Sequence, residues 1–496
     1  MLKSSLLEIL RTFSKQELIK FENFVRSPYF NKKENVVNLF LAVKKNAPSF
    51  SDGSLEKEKV WNKLFPGKDY NYGRMKNLIF DLNKLAEQFI VDLKFKDDKY
   101  KQADCIVNAL LERKLHKLYV IKHNSIDKKP DLNYLSKNNL EIDKYLHLIV
   151  ELYTLKAQFH KQFEPNMRLE NLQFICDSYH LSNFLIELFC CYANAIADSY
   201  SKNHDLEKNL HVKLLELISP NGLKTLIDSI NEDRNSKLNP LYLKIYYMMY
   251  LSVKEKTESR YLDFKKIVFD NLDILPKLSI QTLHHCLLAT FAYDNTIRLN
   301  PHKEVIEIYD SLIKCNLITG VRNDNIPIYV FYSYIYKCFL ISDAERIKTF
   351  SSEFISKLEP SQQESAKIYV RSVVSFLSKD FMDSLSQISL LDLPYSVLKI
   401  NLKYQKAMCI YEIGEYEMFL NELDSLKHFV KNNYFVTEIK KDLLNRYYSV
   451  IKRLFDLKRD FKEFEFLKLK NFVKETYKDS NHWLNDKLEE IKKANN

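Results

Sequence analysis

Phe376-Leu377-Ser378-Lys379-Asp380-Phe381-Met382-Asp383-Ser384-Leu385 aligns residue for residue with Tyr411-Glu412-Ile413-Gly414-Glu415-Tyr416-Glu417-Met418-Phe419-Leu420, and the pair decides the fold. Phe376 and Tyr411, Phe381 and Tyr416, and Leu385 and Leu420 are each 35 positions apart. In both segments an apolar helical run closes on an aromatic residue, turns, and opens a second helix on another aromatic. That is a helix hairpin, and a period of this length marks a unit that buries its apolar face only by stacking on its neighbours. A weaker copy lies upstream, from Ile341-Ser342-Asp343-Ala344 through Arg346-Ile347 to Leu358-Glu359-Pro360.

Period and turn together resemble the tetratricopeptide repeat. Two positions depart from it: Phe419 stands where the repeat usually has Ala, and Lys379 stands where the other copy has Gly414. A bulky Phe419 pushes paired helices apart or tilts them, so the expectation is a tetratricopeptide-like α-solenoid of irregular pitch. The fold class expected for the whole chain is all-α. Residues 1–98 form an N-terminal helical bundle, 99–325 a helical-hairpin array without clear consensus, and 326–496 tetratricopeptide-like repeats with C-terminal capping helices.

Composition agrees with that class. The chain holds 6 glycines in 496 residues (Gly53, Gly67, Gly73, Gly222, Gly320 and Gly414), where ordinary usage gives roughly 35. Left-handed turns, hairpins and close backbone approach to ligands favour glycine. Their scarcity predicts helices joined by plain turns and leaves no glycine-rich phosphate loop. Sustained strand alternations and Asn-Gly or Asp-Gly hairpin signals are lacking as well.

Local signals place the N-terminal helices. Ser14-Lys15-Gln16-Glu17 is a capping box, followed by Leu18, Phe21, Phe24 and Val25 at helical spacing. Ser27-Pro28 ends that helix. A second helix is expected from about Lys33 to Asn46, and a third capped by Ser54 and stopped at Pro66-Gly67. A fourth starts near Tyr72 with Met75, Leu78, Ile79, Leu82, Leu85 and Phe89 on one face. The charged stretch Asp92–Lys101 reads as the exit from this bundle. Downstream, Pro130, Pro165, Pro220, Pro240, Pro276 and Pro301 read as joints between amphipathic helices.

Three segments resemble an uncharacterised family of bacterial helical-repeat proteins. One is Glu17-Leu18, Phe21, Phe24-Val25 and Ser27-Pro28-Tyr29-Phe30-Asn31, with Lys63-Leu64-Phe65-Pro66-Gly67-Lys68, Asn77-Leu78 and Asp81-Leu82. The others are Asn171-Leu172-Gln173 with Tyr179-His180-Leu181, and Leu402-Lys403 with Ile410 to Tyr416, Leu423-Asp424 and His428-Phe429-Val430. The resemblance implies fold and lineage and carries no activity, ligand or catalytic residue.

The formal net charge is +10. Residues 1–100 hold 19 Lys and Arg against 13 Asp and Glu, and residues 431–496 hold 16 against 11. Lys supplies 61 of the 75 basic residues, and Lys lacks the bidentate fork of Arg, so a solvated Lys-rich surface is expected. No secretory signal or membrane span is apparent, because acids and Arg11 interrupt the opening and Lys244 interrupts the apolar run Leu241–Val253. Eight scattered cysteines without a C-x-x-C pair read as reduced thiols in a cytoplasm.

Catalytic motifs are lacking. His284-His285-Cys286 is the densest group of ligand-type residues, yet adjacent helical residues point about 100° apart and do not share one ion. One core His, one surface His and a buried Cys are expected there. His116 with His123 and His204 with His211 lie seven apart with no third ligand in reach, and Cys190-Cys191 sits in an apolar run. Tyr246-Tyr247-Met248-Met249-Tyr250 and Tyr329, Tyr332, Tyr334 and Tyr336 read as inter-helix core or as a peptide-binding surface. Lys68–Asn77, with Arg74, Lys76 and Asn77 opening a helix, loosely resembles the recognition end of a helix-turn-helix. The expected function is a non-catalytic scaffold binding a protein or peptide, without metal, cofactor or catalytic residues and without membrane insertion. The alternative is a nucleic-acid-associated regulator contacting DNA through the basic N-terminal helices.

Overall fold

The computed structural model describes residues 4–51, 53–127, 142–163, 170–202, 205–232, 240–292, 299–320, 324–392, 396–433, 436–477 and 482–495. Among them every extended regular element is a helix and none is a strand. The chain is all-α. It divides into two compact units, Met1–Ile126 and Asp127–Asn496.

The first unit contains α1 (Ser5–Arg11), α2 (Lys15–Arg26), α3 (Glu34–Lys44), α4 (Lys57–Leu64), α5 (Tyr72–Asp97), α6 (Lys99–Glu112) and α7 (His116–Asp127). Ser14 and Glu17 form the capping box in both directions: the Ser14 hydroxyl accepts from the Glu17 amide at 3.2 Å, and Glu17 accepts from the Ser14 amide at 2.7 Å. α2 stops at Arg26 because Ser27 takes extended backbone ahead of Pro28. Long α5 is the strut, touching α1, α2 and α3. Its Met75, Leu78, Leu82, Leu85, Ala86 and Phe89 are buried. Phe89 meets Phe13, Phe21 and Phe24 at ring separations of 5.5, 5.2 and 5.5 Å. Trp61 is buried, and its indole N–H donates to the Lys68 carbonyl at 3.0 Å.

Two expectations shift here. Ser54 lies in a 3₁₀ turn, Gly53–Leu55, and α4 starts three residues later. The charged stretch expected to leave the bundle stays helical to Asp97, with Lys96 paired to Asp92 at 2.7 Å. Asp98 then caps α6 by accepting from the Lys101 amide. Those charges are the solvated face of a continuing helix.

The second unit begins with α8 (Ile142–Phe163), α9 (Glu170–Lys202), α10 (Leu210–Leu217), α11 (Pro220–Glu232), α12 (Pro240–Glu255) and α13 (Glu258–Phe269). It continues with α14 (Lys277–Ala292), α15 (Pro301–Lys314), α16 (Ile328–Leu340), α17 (Ala344–Phe354), α18 (Pro360–Leu377) and α19 (Phe381–Ser389). α20 (Ser396–Ile413), α21 (Tyr416–Asn432), α22 (Glu438–Arg459), α23 (Glu463–Tyr477) and α24 (His482–Asn495) complete it. Each helix from α12 to α23 touches its successor, and α16 also touches α18 and α20, while α20 touches α22. Pro220, Pro240, Pro301 and Pro360 open helices, where the missing N–H would be unpaired anyway. Pro276 directly precedes α14; Pro130 and Pro165 lie outside the described residues.

The helix-ending turns are not plain. Gly414 has φ 89°, and Lys379, at the matching position, has φ 64°. Each is followed by an amide that reaches back five residues: Glu415 to the Ile410 carbonyl at 3.3 Å, Asp380 to that of Ser375 at 2.8 Å. Lys114, Asn316 and Ser342 repeat the arrangement, with φ 58°, 55° and 59°. These are Schellman turns. The chain forms them with few glycines by letting Lys, Asn and Ser take the left-handed backbone.

Aromatic rings fill the layers between helices. Phe376 packs edge-on against Phe381 at 5.2 Å and against Phe339 at 5.2 Å. Tyr411 and Tyr416 both meet Phe455 of α22, at 4.8 and 5.4 Å. Phe419 is fully buried against Tyr448 and Phe455 of the same helix. Farther along, Glu412 accepts from the Trp483 indole at 2.6 Å and from Lys487, tying α24 to the end of α20.

Candidate functional site

The tyrosine-rich helices are core. Tyr246 and Tyr250 are 3% and 2% exposed, and Tyr332 and Tyr334 are 1% and 2% exposed. Burial raises the phenol pKa of Tyr246, Tyr332 and Tyr334. Of these stretches only Tyr329 stands well out, half exposed.

His284 is fully buried. Its Nδ1 lies 2.8 Å from the Ile280 carbonyl and its Nε2 2.8 Å from the Ser311 hydroxyl. A carbonyl only accepts, so Nδ1 carries the proton and Nε2 accepts from Ser311. Burial holds the ring pKa down at about 4. Its neighbour His285 is exposed, and Cys286 is buried with its thiol pushed up to about 12. This triplet brings no ion together. Among the described residues no three His, Cys, Asp or Glu side chains converge as a metal site requires. His123 is buried beside the Tyr119 ring, His211 is exposed, and His204 lies outside the described residues. All eight cysteines are free thiols; Cys190 and Cys191 are half-buried.

The basic segment before α5 is built differently from a helix-turn-helix. Residues 65–71 separate α4 from α5, longer than the three or four residues of that motif's turn. Arg74 lies over the Phe65 ring at 5.7 Å and Lys57 over the Tyr72 ring at 5.1 Å. Lys33 pairs with Asp81 at 2.8 Å and Lys44 with Glu22 at 2.7 Å. Lys33 and Lys44 are thus paired with acids of the same unit.

An aromatic groove lies instead on the other flank of α5. Asn31 shapes one wall: its side chain donates to the Val25 and Lys33 carbonyls and accepts from the Lys33 amide. That clamp holds the turn Ser27-Pro28-Tyr29-Phe30 so that Phe30 stacks on buried Phe24 at 3.9 Å. Tyr29 stands edge-on to Phe30 at 4.9 Å and is 86% exposed. Val91, 67% exposed, and Phe95 of α5 form the opposite wall. Lys84, Glu87, Gln88 and Asp92 complete the lining, and the concavity measures about 870 Å³. Glu87 already accepts from Asn83, and Asp92 holds Lys96. The groove is thus an apolar trough with a nearly neutral rim.

Sequence patterning favours the buried stripe of α5 and passes over this one. The signal was the recurrence of apolar Phe80, Val91 and Phe95 off the Met75–Phe89 face. No described helix is long and apolar enough to cross a membrane. No protein-family model, no curated protein and no solved structure matches the chain.

Proposed function

We propose that the chain is a non-catalytic protein-binding scaffold. Its first unit takes an amphipathic helix of a partner protein into the groove between the Tyr29–Phe30 turn and α5. The observation that carries this reading is the cluster of solvent-facing Tyr29, Phe30, Val91 and Phe95 around one concavity, since exposed aromatic patches of this kind mark interaction sites. From Lys84 to Phe95 the trough runs about 17 Å at 1.5 Å per residue, three turns of a bound helix, and its neutral rim favours apolar anchors over a charged strand. The 35-residue period of the sequence and the contacts between successive helices favour reading the second unit as a tetratricopeptide-like array. Eight free thiols fit a reducing cytoplasm.

The test is capture from cytoplasmic extract by the tagged full chain, compared with Val91→Asp and Tyr29→Ser. Expected is a protein retained by the wild type after nuclease treatment and lost with both variants. Retention by the variants, or release by nuclease, overturns the reading; the latter outcome points to nucleic acid.

A further inference from the structure

A second concavity, independent of the groove, lies wholly inside the second unit where α9, α12 and α14 converge. α12 touches both α9 and α14. Ala193 and Ala197 of α9 and Ala289 of α14 border the space between them and are too short to fill it. Its volume is about 380 Å³. An apolar cavity of about 150 Å³ takes up benzene, so this one admits a ring with a short chain attached and lies within the range of small-molecule sites.

The lining is layered by polarity. Its floor is Ala193, Val253, Cys286 and Thr290, each 6 to 8% exposed. The Thr290 hydroxyl already donates to the Cys286 carbonyl at 2.9 Å, and burial keeps the Cys286 thiol neutral. Ile196, Ala197 and Ala289 form half-buried walls. Polar side chains enter toward the mouth, where Thr282 is half-buried and Asn194 and His285 are exposed. His285 reaches solvent at one edge, yet burial of the rest of the ring lowers its pKa, so it is neutral at pH 7. An amide, a hydroxyl and a neutral imidazole each both donate and accept hydrogen bonds. Lys256 borders the space as well, but it is already engaged and brings no free charge to it. Among the described residues of the lining none is acidic. An ion entering here leaves water without gaining a counter-charge, a cost that an uncharged molecule does not meet.

We propose that this cavity binds a small uncharged amphiphile, an alcohol with an apolar body, which seats the body on the floor of Ala193 and Val253 and holds the hydroxyl at Asn194, Thr282 and His285. A hydroxyl both gives and takes a hydrogen bond, as these three groups do, whereas a carboxylate only accepts and an ammonium only donates. Molecules of the same shape that carry either charge keep the apolar contact and lose their hydration without replacement.

Calorimetry on the full chain at neutral pH with 4-phenylbutanol, 4-phenylbutyrate and 4-phenylbutylamine tests this. The alcohol is expected to saturate and to bind roughly tenfold tighter than either ion. Ala197→Leu, on the half-buried wall, should abolish binding of the alcohol, and Asn194→Leu, at the exposed mouth, should weaken it severalfold. On unaltered protein, the His285 ring resonance should shift along the same saturation curve, with His285→Gln identifying the signal. Equal or tighter binding of either ion, absence of saturable binding of the alcohol, unchanged affinity in both folded variants, or binding without movement of the His285 resonance overturns the proposal. None of these readouts involves the first unit's groove, so failure of one site leaves the other intact.

Discussion

Lys379 shows how a single backbone angle sets the local energetics of this chain. At φ 64° it adopts a conformation costing an ordinary residue about 1 kcal/mol or more, which glycine adopts freely. Lys379→Gly should therefore raise stability by about 1 kcal/mol, and Ser342→Gly should do the same. Gly414→Ala should lower it by a similar amount although no atom lies within 4 Å of the added carbon. Urea denaturation followed by far-ultraviolet circular dichroism reads all three, and a destabilised Lys379→Gly would show that its aliphatic stem matters more than its angle. The sequence shows the aligned turns but not this angle, because nothing in the chemistry of lysine announces a left-handed backbone. His284 is the second residue-scale case. Its ring pKa is near 4 folded against an ordinary 6.5, so between these values the unfolded chain takes up a proton that the native state refuses. The contribution of this ring to stability is flat above pH 6.5 and falls as the pH drops toward 4, by up to about 1.4 kcal/mol per unit. Denaturation at pH 7 and pH 5 should show a smaller loss for His284→Gln than for the wild type.

Helices were legible where one face is apolar and a cap is local. The α2 capping box and the buried stripe of α5 follow from residues three and four apart. The groove was not legible, because its two walls come from a turn and a helix some sixty residues away, and only folding joins them. The same holds for Glu422 on α21. It is 5% exposed and is met by Lys403 at 3.0 Å, Lys406 at 2.7 Å and the Tyr448 hydroxyl at 3.4 Å. Glu422→Ala strands two lysines beside a buried hydroxyl and should cost about 3 kcal/mol. Phe419→Ala, one turn earlier, should cost about 3 to 5 kcal/mol by emptying the space against Tyr448 and Phe455. Val91→Asp, at an exposed position of α5, should stay within about 0.5 kcal/mol of wild type, which makes it a clean probe of binding.

For the molecule as a whole, all-α architecture was legible because period, glycine scarcity and missing strand patterns agree. The reach of the last helix was not. Glu412 of α20 is bound by residues 71 and 75 positions later, Trp483 and Lys487. A chain ending after Tyr477 leaves that carboxylate half-buried without them, and the second unit should melt several degrees lower in calorimetry. Trp483 also has a bearing on how the protein is watched. The sequence holds 2 tryptophans, Trp61 in the first unit and Trp483 in the second, each with its indole N–H engaged by a different acceptor. Ultraviolet emission therefore carries one natural lamp for each unit. With Trp61→Phe or Trp483→Phe, the colour and brightness of the remaining lamp follow a single unit through heating, partner docking or ligand entry, with no dye attached.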